Sequence, residues 1–210
     1  MNKAVLVLAV TCACATFSNM AGAAGDAPVI KQNVQLLSQP PASYPEAAKA
    51  AGHQGVVKLR LSINTEGRVD DAQVIESSRS DILDAAAVEQ VKAWKLSPAT
   101  DSEDKPVAIK VVAPIKYAKD SILDLANKAC SDLNVDVSWF RSVYPDQPVS
   151  DMNIYNLSLG LLAMAAGSGP KILETSRKFS KAFDKTVARC AEKPDEKYWE
   201  NIKSGMSAWF

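Results

Sequence analysis

The chain has 210 residues, of which 47% are hydrophobic and 23% are charged. This composition excludes a disordered chain and a protein that crosses the membrane many times. Lys and Arg together number 24, as do Asp and Glu, so no basic excess favours nucleic acid as a partner. Because the chain has one histidine and four cysteines, zinc ligands are scarce, and we expect neither a metal nor a cofactor.

The N-terminal segment has the layout of a secretory signal peptide. A lysine precedes an apolar run over residues 4–17, and the small residues Ala-Gly-Ala at 21–23 form a cleavage site. A membrane-spanning helix needs about 20 apolar residues, and this run is shorter. We therefore predict that residues 1–23 are removed and that no membrane span remains. The alternatives are an uncleaved anchor and lipidation at Cys12 or Cys14.

Signal cleavage would leave only two cysteines, Cys130 and Cys190, in the mature chain. An even pair in an exported protein favours a disulfide, because the compartment is oxidising. The alternative is two separate buried thiols.

The segment that follows the signal, residues 24–39, has the composition of a short polar linker. Beyond it, alternation of apolar and polar residues predicts strands over 57–63, 69–76 and 107–116. Helical patterns and stop signals predict helices over 45–51 and 81–94.

The third predicted strand contains Pro114. Proline has no N–H and cannot donate to a central ladder, so we expect this strand to lie at an edge of the sheet.

The second half of the chain, from residue 119 to residue 210, has apolar residues at helical spacing. The apolar stripes and one nearly continuous apolar segment cover 122–133, 152–166, 172–190 and 199–209. We therefore predict an α+β domain over residues 40–118, followed by a small all-α bundle.

Three stretches of the predicted α+β domain together carry a family resemblance. They read PPASYPEAAKAAGHQGVVKLRLSINTEGRVDDAQVIESS, LDAAAVEQVKAWKLSPA and KPVAIKVVAPIKY. Their order and spacing over residues 40–117 resemble the C-terminal domain of TonB-family proteins. The landmarks include Tyr44 before a proline, Gly67 in a predicted hairpin turn, and Trp94 before Pro98.

The resemblance implies a three-stranded antiparallel sheet with helices on one face. It also implies a domain that binds a partner: in TonB proteins, an edge strand pairs with a short extended segment of a TonB-dependent outer-membrane transporter. The matching partner-binding residues here are Val107, Ala108, Ile109, Lys110, Val111, Val112 and Lys116. The alternative is an ordinary edge strand that the following helical region covers.

A working TonB transducer needs a membrane anchor and a long spacer. Here the anchor resembles a cleavable signal, and residues 24–39 would reach only about 55 Å at ~3.4 Å per residue. We therefore predict a periplasmic adaptor of the Gram-negative cell envelope. Its partner would be an envelope protein or a transporter peptide, captured by β-strand addition. The alternative is a membrane-anchored energy transducer for transport such as iron-siderophore uptake.

The last two residues, Trp209 and Phe210, are a candidate exposed anchor for a partner, because aromatic residues are common at interfaces. A second copy of the chain is a further candidate partner.

Catalytic and nucleotide-binding motifs are absent from the sequence. There is no GxGxxG, no phosphate-binding glycine loop and no CxxC. His53 has no neighbouring cysteine or carboxylate pattern that would make it a metal ligand. We therefore expect no enzymatic activity.

Overall fold

The computed structural model describes residues 30–40, 43–166 and 170–206. The predicted signal peptide, residues 1–23, and the terminal pair Trp209 and Phe210 lie outside the described residues. Across the described ranges, no helix has both the length and the apolar composition needed to cross a membrane.

Short strands and helices alternate in the first half of the described chain, and helices alone follow. The strands are β1 (Ile30–Gln32), β2 (Leu36–Ser38), β3 (Gly55–Ile63), β4 (Val69–Glu76), β5 (Lys95–Leu96), β6 (Ala99–Asp101), β7 (Pro106–Val107) and β8 (Ile109–Tyr117). The helices are α1 (Glu46–Ala50), α2 (Asp81–Lys92), α3 (Cys130–Val143), the 3-10 helix Val149–Asp151, α4 (Asn153–Ala166), α5 (Pro170–Glu192) and α6 (Tyr198–Gly205).

The main sheet is three-stranded and antiparallel, in the order β4-β3-β8. Alternate side chains of β3 point into a core that α1 and α2 cover on one face. The buried side chains of this core include Val57, Leu59, Leu61 and Ile63 from β3 and Leu83, Ala87 and Val91 from α2. The predicted α+β fold, with helices on one face of the sheet, is confirmed.

The third strand of this sheet is shorter at its start than the sequence indicated. β8 begins at Ile109, whereas Val107 belongs to β7 and pairs with Ala99 of β6. Ala108 lies between the two strands. The alternation of apolar and polar residues continues from β7 into β8 because both strands are extended. The pattern therefore could not show that the two strands belong to different sheets.

The predicted linker is partly folded onto the α+β domain. β1 pairs with β6, and β2 pairs with β5. The Gln35 N–H donates to Ser97 Oγ at 2.9 Å, and the Ser97 N–H donates to the Gln35 carbonyl at 2.8 Å. Residues 30–38 therefore do not act as a free spacer, because their backbone groups are used in pairing.

The helical region has its own core, which confirms the predicted all-α part. Its largest fully buried side chains include Leu133, Ile154, Phe179, Phe183, Tyr198 and Ile202. Cys130 and Cys190 form a disulfide, with an S–S distance of 1.98 Å. The predicted disulfide is therefore present, and it joins the start of α3 to the end of α5.

The prediction of helical structure over residues 122–133 is wrong for most of that segment. α3 begins only at Cys130, and residues 122–127 form turns. Asp124 accepts hydrogen bonds from the Ser121 N–H at 2.8 Å and from the Ser121 hydroxyl at 2.6 Å. Such local side-chain bonds compete with helix formation, and Ile122 is consequently 46% exposed.

Candidate functional site: an open sheet edge beside the helical region

The outer edge of β8 carries a ladder of backbone groups that no strand among the described residues pairs with. β8 pairs with β3 over nine consecutive positions without a register shift, including Pro114 opposite Lys58. Because proline cannot donate, this pair must be one of the non-hydrogen-bonded pairs of the ladder. Alternate residues share this orientation. Lys110, Val112 and Lys116 therefore direct their N–H and carbonyl groups away from β3.

The part of the chain that the structure describes places no strand on this outer edge. The residues predicted to bind a partner divide into three groups. Lys110, Val112 and Lys116 present backbone groups to the open edge, whereas Ile109 and Val111 use theirs towards β3. Val107 and Ala108 lie outside β8. The structure thus brings together only part of the predicted site.

The opposite edge of the sheet, on β4, is less regular. Its pairing with β3 shifts register between Lys58 and Leu59 and again between Ser62 and Ile63. Bulges of this kind disrupt the ladder and twist the strand away from a further partner. β8 is therefore the better template for an added strand.

The face of the sheet opposite α1 and α2 has unpaired positive charge near β8. Lys58 forms an ion pair with Glu76 at 2.7 Å. In contrast, Arg60, Lys110 and Lys116 take part in none of the ion pairs among the described residues. All three are exposed, so this outer face favours a partner with carboxylates.

A buried ion network lies directly after β8, where the chain enters the helical region. The Lys128 ammonium is 2.7 Å from both an Asp120 and an Asp136 oxygen, and Lys119 is 2.8 Å from Asp136. The Lys128 side chain is 3% exposed and the Asp136 side chain 0%. Two lysines and two aspartates therefore balance one another away from water.

The charges of this network shift the pKa values of neighbouring groups. Burial alone would lower the pKa of Lys128, but Asp136 and Asp120 together outweigh it and raise that pKa. Burial, with the same two carboxylates, raises the pKa of Tyr44 to about 12. The Tyr44 hydroxyl donates a hydrogen bond to the His53 carbonyl, so the protonated phenol is part of the structure.

The loops that follow α1 and precede α2 also contact the helical region. Gly52 has a φ of 74°, and a Cβ there would lie 3.1 Å from Asp136 Oδ1. The His53 ring stacks on Trp139 with the centroids 5.5 Å apart. The Arg79 guanidinium donates to the Val143 carbonyl at 2.6 Å. Charged, aromatic and backbone contacts together fix α3 against the end of the sheet.

Between the sheet and α3 lies a cavity of about 360 Å³. The sheet contributes Val56, Lys116 and Tyr117 to its wall, and the helical region contributes aromatic side chains and their neighbours. The members from the helical region include Trp139, Phe140, Tyr144 and Met152. The cavity therefore begins where the open edge of β8 ends.

Sequence reasoning did not find the ion network or the cavity. Lys119, Asp120, Lys128 and Asp136 are ordinary charges in the sequence, and nothing in their spacing indicates that they are buried together. Among the described residues, no group of His, Cys, Asp and Glu side chains is arranged to hold a metal ion.

The comparison with protein families identifies the first region. Residues 40–118 match the family model described as Gram-negative bacterial TonB protein C-terminal. Residues 40–118 are a TonB C-terminal-like domain. The resemblance found in the sequence is thus confirmed, and the family match ends before the helical region.

Individual TonB proteins are similar to the same part of the chain. Protein TonB of Xanthomonas campestris pv. campestris (strain B100) is 37% identical over 78 residues, which are 37% of this chain and 34% of that protein. Protein TonB of Pseudomonas aeruginosa is 35% identical over 66 residues, which are 31% of this chain and 19% of that protein. The chain thus covers about a third or less of the length of these relatives.

A solved structure matches the TonB C-terminal-like domain as well. The solution NMR structure of the Pseudomonas aeruginosa TonB C-terminal domain has 34% sequence identity and a TM-score of 0.35. The match covers 40% of this chain and 85% of the solved one.

Proposed function

We propose that the protein is a periplasmic adaptor that captures an extended segment of an envelope partner, such as a TonB-dependent outer-membrane transporter. The partner segment would add to the sheet along the outer edge of β8. The observation that carries this proposal is the regular ladder of β8, which pairs with β3 over nine positions and has no strand from the described ranges on its other side.

Backbone hydrogen bonds would supply the affinity of such a complex. From Lys110 to Lys116 the edge is about 20 Å long at ~3.3 Å per residue, so it accepts an extended segment of about seven residues. Pro114 removes one donor from this edge but leaves its carbonyl available. The side chains that alternate along the added strand would then determine its register.

The charges on the edge favour a foreign partner over a second copy of the chain. Pairing of two β8 edges would bring Lys110 and Lys116 of both copies into one outer face, and like charges across a ladder destabilise it. Sedimentation of the exported protein should therefore give a monomer, and a stable dimer would mean that the edge serves self-association.

Site-specific crosslinking in the native envelope tests the proposal. A photoreactive phenylalanine at Val112, which is 56% exposed, should crosslink to an outer-membrane protein. The matched control is the same probe at Ile82, which is 41% exposed on α2, where we expect no such product. An equal yield at both positions would refute capture at this edge.

A proline substitution separates backbone pairing from side-chain contact. Lys110→Pro should abolish the Val112 crosslink because it removes an N–H that faces the open edge, whereas Lys110→Ala should retain it. A proline at Val111 would instead break the ladder with β3 and damage the sheet. If the crosslink persists in Lys110→Pro, the backbone of this edge is not the binding element.

The N-terminus decides between the adaptor and an anchored energy transducer. N-terminal sequencing of the exported protein should give a first residue near Ala24 for the adaptor. Recovery of the intact N-terminus in the inner membrane would support the transducer.

A further inference from the structure

We propose that the cavity between the sheet and α3 is a side-chain pocket for the captured segment. It would take one large apolar side chain, with an acidic residue two positions away in the segment. This inference rests on the proposed function, because it assumes that the segment lies along β8.

The position of the cavity connects it to the open edge. Val56 and Lys116 are paired across β3 and β8, and both side chains lie on the face of the sheet that α1 and α2 leave uncovered. Both also line the cavity. An added strand would lie about 4.8 Å from β8, so its end near Lys116 would meet the cavity.

The alternation of side chains along a strand predicts which side chains of the captured segment enter the cavity. Every second side chain of the added strand would share the outer face with Lys116. One of these would lie beside the Lys116 ammonium, which has no ion pair among the described residues. The next side chain on the same face, two positions further on, would reach beyond the end of β8 into the cavity.

The inner wall of the cavity favours an apolar side chain. Trp139, Phe140 and Met152 supply apolar surface there, whereas polar side chains such as Gln147, Asp151 and Asn153 also contribute to the lining. The buried carboxylate of Asp136 is already paired with Lys119 and Lys128. At about 360 Å³, the cavity is at the small end of the range for ligand sites. It fits a large side chain better than a cofactor.

Aromatic rings are prominent in the wall of the cavity. Trp139 and Phe140 both line it, and aromatic side chains pack favourably against one another. Tryptophan, which is large and mostly apolar, is therefore a suitable test side chain.

Four defined peptides test the pocket with the exported protein. The probes are the fluorescein-labelled nonapeptides TVTVTVDVW and WVDVTVTVT, which cover both strand directions, and the versions of each with alanine in place of tryptophan. Fluorescence anisotropy gives their dissociation constants. Burial of the large side chain should make a tryptophan peptide bind about 10- to 100-fold more tightly than its alanine version.

Two tryptophan substitutions on one strand form the matched pair of variants. Val56→Trp fills the cavity and should remove the preference for the tryptophan peptide. Ser62→Trp places the same side chain on the same face of β3, outside the cavity wall, and should leave the preference intact. Equal losses in both variants would overturn the assignment of the pocket.

The binding measurements distinguish a failure of the proposed edge site from a failure of the proposed pocket. If tryptophan and alanine peptides bind equally but Lys110→Pro weakens both, the edge is used and the pocket is refuted. If Lys110→Pro weakens neither peptide, the edge is refuted. If no peptide binds, both the edge and the pocket are refuted as a site for extended segments.

Discussion

Replacement of Lys128 by methionine should destabilise the fold strongly, because it leaves buried carboxylates without their main partner. Lys128 is within 2.7 Å of Asp120 and Asp136, whose side chains are 6% and 0% exposed. Removing one member of a buried ion pair costs about 3–5 kcal/mol. The matched control is Lys92→Met, which removes an ion pair whose lysine is 51% exposed and should cost less than about 1 kcal/mol.

The effect of this substitution should depend on pH. The raised pKa of Lys128 means that, in the wild type, its contribution is present below the unfolded value of 10.5 and is lost as the pH rises through the folded pKa. In the variant, burial raises the pKa of the Asp136 carboxyl with less opposition. Protonation of that carboxyl then favours the folded state, so the penalty should shrink as the pH falls.

Urea denaturation, followed by circular dichroism at pH 7 and pH 5, measures both effects. With an m-value of about 2 kcal/mol/M, the expected loss lowers the midpoint by about 1.5–2.5 M at pH 7. A midpoint like that of Lys92→Met would refute the role of the network. So would a penalty that is no smaller at pH 5 than at pH 7.

Three further substitutions test the fold. Gly67→Ala should lower the free energy of unfolding by about 2–5 kcal/mol, because Gly67 has a φ of 77° and a Cβ would lie 2.0 Å from a backbone oxygen. Gly160→Ala is the control: a Cβ at Gly160 would meet nothing within 4 Å, so this variant should not be destabilised. Replacing Cys130 and Cys190 by alanine should cost about 4 kcal/mol on the chain-entropy model, and a thiol titration that finds both cysteines free in the wild type would contradict it. Ser158→Ala leaves a buried tyrosine hydroxyl without its 2.7 Å partner and should cost about 1–3 kcal/mol in the same urea assay.

The sequence predicted the elements that depend on local patterns. β3 and β4 are readable because buried and exposed side chains alternate along the first, and a glycine turn at Gly67 fixes the hairpin. Pro114 marked β8 as an edge strand for a chemical reason that needs no structure. The same pattern could not place the boundary between β7 and β8, because both segments are extended.

The features that depend on packing between the two regions were not predictable from the sequence. The stacking of His53 on Trp139 joins residues far apart in the chain. Apolar periodicity also gave a wrong prediction of helix over residues 122–127. The pattern contains no information about the hydrogen bonds between Ser121 and Asp124 that compete with a helix. The cavity follows from how α3 lies on the sheet, and no motif encodes that arrangement.

The buried network and the proposed pocket should be coupled, because the same helix carries parts of both. α3 supplies Asp136 to the network and Trp139 to the cavity wall, and Lys119 follows β8 almost directly. Lys128→Met should therefore loosen α3 against the sheet and reduce the preference for tryptophan over alanine peptides. Binding of the alanine peptides should change little, because the β8 ladder does not involve the network. Anisotropy measured well below the urea transition of the variant tests this, and an unchanged preference would show that the position of α3 does not depend on the buried charges.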